Sequence, residues 1–294
     1  MSQPPARSFW RAHAGLWLAL AIGLALRVAL WGNLPRTGWI SDEGEYFSAA
    51  SWLAAGRGFG WYLGYLWTRA PLYPLFVAVH LRLFGESPIP VYVTQTALSL
   101  LNVALVYALA GRVRGHRRVP AIAATLAALY FPFAVYTQAL LSETLFIMLL
   151  LAGFLLLAQW RPGTPCGWRW LVLAGGVFGL ATLTRSLMLT FLPLVALWLF
   201  AQPTTDNRRP TTDDRRLPWS VVSGRWSVAL VFLLAAVLTI APWTLYNSRL
   251  YGGLVVIDTS GAFNLMLGGR TAYDGNNRLD APSRNFVRAL LDAN

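Results

Sequence analysis

The segment Ser41-Asp42-Glu43-Gly44-Glu45-Tyr46 gathers three of the five carboxylates in the first 200 residues, directly after an apolar run at 15–34. A carboxylate at the mouth of a membrane cavity can act as a general base, taking the proton of an attacking hydroxyl. Ionisable groups at a membrane boundary are costly enough that function is the default reading. Asp42 and Glu43 are therefore the first candidates. Asp42 also fits a helix N-cap, with Glu45 three residues on completing a capping box. The two readings are compatible, because capping would fix the segment that presents the base.

Glu143 opens an otherwise uncharged run at 143–158, within Leu140-Leu141-Ser142-Glu143-Thr144-Leu145. A helix-start carboxylate gains about 0.3–1 kcal/mol from the macrodipole, which is little reason to hold a charge against hydrocarbon, so a second functional acid is expected there. Arg69 and Arg185 are candidates for binding phosphate, since guanidinium is permanently charged and bonds oxyanions through two parallel donors. Their alternative is snorkelling at the interface. Arg27 lies in the outer half of the first run, where it would snorkel or neutralise the nearby carboxylates.

Trp39, Tyr46, Trp52, Trp61, Tyr62, Tyr65 and Trp67 crowd the segment after that run. They fit an interfacial aromatic belt or, more sharply, a platform for carbohydrate stacking. His13, His80 and His116 are scattered and form no metal constellation, and a divalent-ion requirement is not readable. The lone Cys166 allows no internal disulfide and no Cys-based zinc site. Gly56-Arg57-Gly58-Phe59-Gly60 lacks the strand-then-helix setting of a phosphate loop.

The elements that must position these groups are apolar helices. The chain has 294 residues, 56% apolar and only 12% charged, against roughly 25% charged in soluble domains. Apolar runs of about 20 residues are long enough to cross hydrocarbon. The fold class expected is an all-α, polytopic membrane bundle with about seven transmembrane spans. The net charge is +12 and every basic residue except His is Arg. These arginines fall between apolar runs, as orientation signals do, so nucleic acid is set aside as a partner.

The first span is 15–34, preceded by Arg7 and Arg11 and followed by no evident cleavage site, so it reads as retained rather than a removed leader. The stretch 35–88 is a long first outer loop holding the acidic motif, in which 71–84 is too short to cross comfortably and reads as an interfacial or re-entrant helix. Spans two to four are 89–110, 119–136 and 143–158. The run 170–200 would be roughly 46 Å long as one helix, against a core of about 30 Å. It is therefore split near Thr184-Arg185-Ser186 into spans five and six. Residues 203–216 repeat Pro-Thr-Thr-Asp-Asn-Arg-Arg as Pro-Thr-Thr-Asp-Asp-Arg-Arg, within a polar loop at 202–225 expected to be disordered. The seventh span is 226–246. The membrane module is placed at 1–248, and 249–294 reads as the start of an extracytoplasmic segment, expected to be incomplete.

With the N-terminus cytoplasmic, seven crossings put the Arg-rich loops at 111–118, 159–169 and 202–225 inside. Asp42, Glu43, Arg69, Glu143 and Arg185 then share the outer side, as one active site requires.

At this point the chain resembles the polytopic, lipid-phosphate-sugar-dependent glycosyltransferases of the GT-C fold, in the branch of dolichyl-phosphate-mannose protein mannosyltransferases and bacterial aminoarabinose transferases. The likeness rests on Asp42-Glu43 with Tyr46 after span one; Arg69-Ala70-Pro71-Leu72-Tyr73-Pro74-Leu75; Leu83-Phe84-Gly85-Glu86-Ser87; Ser142-Glu143-Thr144-Leu145; Leu183-Thr184-Arg185; and Pro242-Trp243-Thr244 with Asn247. It covers most of the chain, and the order of these elements is more specific than any one of them.

The resemblance implies a polyprenyl-phosphate-linked sugar donor, a lipid, glycan or protein acceptor, and an inverting attack with Asp42 as general base. Arg69 would contact the donor phosphate, Glu143 would be the second acid, and Tyr46, Arg27 and Asn247 would line the substrate. It also implies an integral protein of a bacterial plasma membrane with its active site outside the cytoplasm. There are two departures. Tyr246 stands where the family often has Arg, and family members usually continue with further spans beyond the point where this chain stops. The rival readings are a lipid-linked sugar flippase and a non-catalytic assembly subunit. A transporter would place its charges near the bilayer midplane in related halves, whereas these acids lie at the boundary and no half-repeat is evident.

Overall fold

The computed structural model describes residues 7–34, 38–62, 68–113, 116, 118–161, 164, 167–202 and 224–261. Among them every regular element is helical: α1 (Arg7–Ala12), α2 (Ala14–Leu30), α3 (Glu43–Ala54), α4 (Leu72–Phe84), α5 (Ile89–Ala110), α6 (Val119–Leu129), α7 (Phe131–Val135), α8 (Glu143–Leu157), α9 (Gly167–Thr184), α10 (Met188–Ala201) and α11 (Arg225–Tyr251), with short 3-10 turns at Gly60–Tyr62 and Tyr136–Gln138. The tandem repeat at 203–216, Tyr65, Trp67, Cys166 and residues 262–294 lie outside the described residues.

The chain is a helical membrane protein, but fewer helices meet the crossing requirement than the seven expected. α5 and α11 are long and apolar enough, and a third crossing is counted only if α6 and the bent segment after it form one span. α2, α4, α8 and α10 are apolar but have only 17, 13, 15 and 14 residues, short of the ~20 that a ~30 Å core needs. The expected third span, 119–136, is broken. Tyr130 adopts an extended conformation and the axis bends by 60° there, because Pro132 has no N–H to continue the helical ladder. The split expected near Arg185 is present: α9 ends at Thr184 and α10 begins at Met188. The acidic motif, within the long outer loop, opens a helix there, α3, with Asp42 in the N-cap position.

Close helix approach is specified by small residues. In lipid, helices associate through tight packing rather than water exclusion, and small residues four apart let backbones meet. Gly175 and Gly179 on α9 do this against α11. A Cβ at Gly175 would collide with the Phe232 carbonyl oxygen, and one at Gly179 would stand 2.7 Å from Thr239 Cβ. Phe178, between them, lies edge-on to both Phe154 of α8 and Phe232 of α11. This core extends to Tyr46, Tyr73 and Leu140, beneath the acidic motif.

A second, smaller cluster joins α2, α5 and α6 through Ala19, Val103, Ala124 and Ala128. Arg27 is wholly buried. It donates to Ser99 Oγ at 2.6 and 3.1 Å, to the Gly23 carbonyl at 2.8 Å and to the Ala128 carbonyl at 3.3 Å. Ser99 in turn donates to the Phe133 carbonyl at 3.0 Å. Ala128 lies in the last turn of α6, whose carbonyls have no intrahelical partner. Arg27 therefore satisfies the broken end of α6. It neither snorkels nor faces the acidic motif, which corrects its expected place beside the substrate.

α11 stops at Gly252, whose φ of 67° is the left-handed conformation that ends helices. The chain then returns along α11. Trp243 Nε1 and Asn247 Nδ2 donate to the Ile257 carbonyl at 2.8 and 3.2 Å, and the Thr68 N–H donates to Thr259 Oγ1 at 3.0 Å.

Candidate active site

A polar cavity of about 210 Å³ forms where the start of α3, the start of α8, the α9–α10 break and the return segment after α11 meet. Ser41, Asp42, Tyr46, Arg69, Ser142, Glu143, Thr184, Arg185, Ser186, Asp258 and Ser260 are among its lining residues. Residues more than 200 positions apart in the sequence thus share one small space.

Asp42 sits in the N-cap position of α3 but makes no side-chain cap bond. Both carboxylates turn to Arg69. Glu45 takes the guanidinium in a fork, Nε to Oε1 at 2.8 Å and Nη2 to Oε2 at 3.0 Å, and Asp42 Oδ2 stands 3.2 Å from the same Nη2. The Glu45 side chain is 13% exposed and that of Asp42 is 42% exposed, so Asp42 is the member of the trio open to a substrate. Ser41, just before it, has a φ of 51°. Non-glycine residues held in that left-handed region store strain and cluster at functional sites.

Burial alone would weaken the protonation of Arg69, but the hydrogen bonds and charge of Glu45, with Tyr46 and Asp42 behind, carry its pKa above the ordinary value. It is a fixed cation. Its guanidinium lies 5.9 Å from the centroid of the Tyr46 ring, and Tyr46 packs edge-on to Tyr73. Burial raises the Tyr46 phenol and keeps it protonated.

Across the cavity, Arg185 Nη1 and Glu143 Oε1 pair at 2.6 Å. The α9–α10 break exposes Arg185 at the cavity wall, and Glu143 is presented by the first turn of α8, where a negative charge is favoured.

Besides Arg27, two residues expected in the site are elsewhere. Glu43 is wholly buried and is not among the lining residues. Its Oε2 accepts the Ile40 N–H at 2.8 Å and its Oε1 accepts the Leu140 N–H at 2.7 Å. The 100° step per helical residue turns it away from the face that Asp42 occupies. Asn247 is also wholly buried, holding the Ile257 carbonyl rather than a substrate. The sequence reading missed Asp258 and Ser260. The available signal was Asp258 as the first acid after the last apolar run, on the side already assigned to the other acids. Among the described residues no three His, Cys, Asp or Glu side chains are grouped so as to hold a metal ion.

The larger cavity, about 830 Å³, opens between α5, α8 and α10 and is lined by apolar side chains such as Leu151, Phe154, Phe191, Leu194 and Trp198, with Arg112 also lining it. No carboxylate lines it, whereas the smaller cavity gathers Asp42, Glu143, Asp258, Arg69 and Arg185.

A family model for dolichyl-phosphate-mannose-protein mannosyltransferases matches residues 68–219, just over half of the chain. The chain belongs to this family. The matched stretch includes Arg69, Glu143 and Arg185, while Asp42 precedes it and Asp258 follows it. Neither the curated proteins nor the solved structures provide a match to the chain.

Proposed function

We propose that this transferase moves a sugar from a polyprenyl-phosphate donor to a hydroxyl or amine of a lipid, glycan or protein acceptor, at the extracytoplasmic surface. The observation that carries the reading is one cavity lined by an open carboxylate, Asp42, and by two guanidinium groups, Arg69 and Arg185.

Asp42 takes the acceptor proton as the acceptor atom bonds to the anomeric carbon. The bond from that carbon to the phosphate oxygen breaks on the opposite face, so configuration inverts, and the electron pair leaves with the lipid phosphate. Arg69 and Arg185 face the charge that grows on the phosphate, and such preset charge acts most strongly where water is excluded. Each guanidinium is held by a carboxylate before substrate arrives, so the donor phosphate competes with Glu45 and Glu143 for it. Glu143, Asp258, Ser142 and Ser260 are suited to hydrogen-bond sugar hydroxyls.

The apolar cavity lies toward the Arg112 end, which the proposed topology puts inside, so it suits only the far part of a long lipid tail whose head is in the polar cavity. α8 and α10 carry Glu143 and Leu187 at or near their starts in the polar cavity, and Leu151, Phe154, Phe191 and Trp198 further along in the apolar one. The proposed topology places the N-terminus in the cytoplasm, with the shorter apolar helices completing the crossings.

Purified protein in vesicles containing polyprenyl-phosphate sugars tests the reading. Asp42→Asn is expected to lower transfer by about 10²–10⁴-fold, the usual contribution of a positioned base, while thermal stabilisation by the donor persists. Unchanged transfer would remove Asp42 from the mechanism.

A further inference from the structure

We infer that Glu43 is a positioning residue that sets the spacing between the two halves of the site, rather than a second proton acceptor. The inference rests on the transferase reading above.

Glu43 is the first residue of α3 and follows Asp42 directly. Its side chain is inaccessible to solvent, and each carboxylate oxygen accepts a backbone N–H, one from Ile40 and one from Leu140, 97 positions away. A buried carboxylate is tolerated when such bonds satisfy it, and bonds to a charged acceptor are short and strong. The Ile40 bond fixes the turn that presents Asp42. The Leu140 bond fixes the short segment that follows the Tyr136–Gln138 turn and leads, three residues later, into Glu143.

A second clamp acts on the same segment. Gln95 Nε2 donates to the carbonyls of Tyr136, Thr137 and Ala139 at 3.2, 3.2 and 2.8 Å. Gln95 Oε1 accepts the Tyr73 hydroxyl at 2.8 Å, and Gln95 is wholly buried. Tyr136–Gln138 is a single 3-10 turn and the chain leaves it extended at Ala139, so these side chains add the partners that a continuing helix would have supplied. Glu43 and Gln95 thus hold the 136–140 segment by the Leu140 N–H and by three of its carbonyls. Asp42 and Glu143 keep their separation because one rigid strut joins their supports.

Two variants test this. In Glu43→Gln the amide keeps one acceptor oxygen but turns its NH₂ toward the other backbone N–H, so one of the two bonds is lost. Gln95→Met removes the second clamp, together with the acceptor of the Tyr73 hydroxyl, without touching a carboxylate. Both are expected to speed amide exchange in the 136–142 segment, read by mass spectrometry on the full-length protein in detergent. Both should lower kcat by about ten- to a hundredfold, the scale of a small misplacement of reacting groups, and leave the donor KM within about twofold of the parent. The acidic limb of the pH–rate profile should remain where it is.

Loss or displacement of that limb in Glu43→Gln would make Glu43 itself the proton acceptor and overturn the inference. So would faster exchange with an unchanged kcat. If Glu43→Gln does not fold, Gln95→Met decides by the same readouts. Transfer that survives Asp42→Asn, beside slowed Glu43→Gln, would instead overturn the base assignment and leave the strut standing.

Discussion

Glu143 Oε1 and Arg185 Nη1 lie 2.6 Å apart, joining the first turn of α8 to the break between α9 and α10. The Arg185 side chain is 40% exposed and that of Glu143 is 26% exposed, so the pair is screened. Its contribution to stability is about 0.2–1 kcal/mol, as for other half-open pairs. Glu143→Gln and Arg185→Gln should therefore change the melting temperature little but each reduce transfer at least about tenfold. The double variant should lose less than the sum of the two losses, because the groups act as a unit. A double-mutant cycle on kcat/KM checks this, and strict additivity would argue that the two residues work apart.

Arg69 is held by a fork that Lys cannot reproduce, since an ammonium lacks the planar paired donors. Arg69→Lys should cost about 1.5–3 kcal/mol of stability, the range for hydrogen bonds to charged groups. It should also weaken donor binding, seen as a raised donor KM. A thermal melt with and without donor separates the two effects. Equal stabilisation of both proteins by donor would exclude Arg69 from phosphate contact.

Asp258 lines the cavity while its neighbour Ile257 is pinned by Trp243 and Asn247. Asp258→Asn should leave stability within about 0.5 kcal/mol, as for partly open positions away from the core, and raise a substrate KM several-fold. Asn247→Leu should act differently. It frees the segment and lowers kcat and stability together, which steady-state kinetics alongside a melt will show.

Gly179→Leu should reduce the yield of folded protein. The site has no room for a Cβ, with Thr239 Cβ at 2.7 Å and the Ala236 carbonyl at 3.0 Å. Overpacking of this kind costs about 1–3 kcal/mol or more. Gel filtration in detergent reads the outcome. A normal, stable peak would show that α9 and α11 can separate.

Membrane sidedness has its own check. With the single native Cys166 replaced by Ser, Ser41→Cys should react with an impermeant maleimide on whole cells and Val113→Cys only after lysis. The reverse pattern would place the cavity on the cytoplasmic side.

How much of this was legible differs residue by residue, for physical reasons. Composition alone determined an all-helical membrane protein, because apolar runs in a chain with so few charges have no aqueous alternative. The break near Arg185 was also readable, since 31 helical residues exceed any bilayer core. The bend at Tyr130 was not read, although Pro132 was in plain view, because an apolar run looks continuous to a hydropathy sum.

Asp42 and Glu43 are indistinguishable as neighbouring carboxylates in the sequence. Only the direction of α3 and the arrival of the Leu140 N–H made one open and the other buried. Arg27 likewise reads as a boundary charge, yet the broken end of α6 absorbs it. Local chemistry is written in residue types, which is why the acids and arginines could be named from the chain. Which of them share a cavity depends on contacts between segments far apart in sequence, and those exist only once the helices have packed.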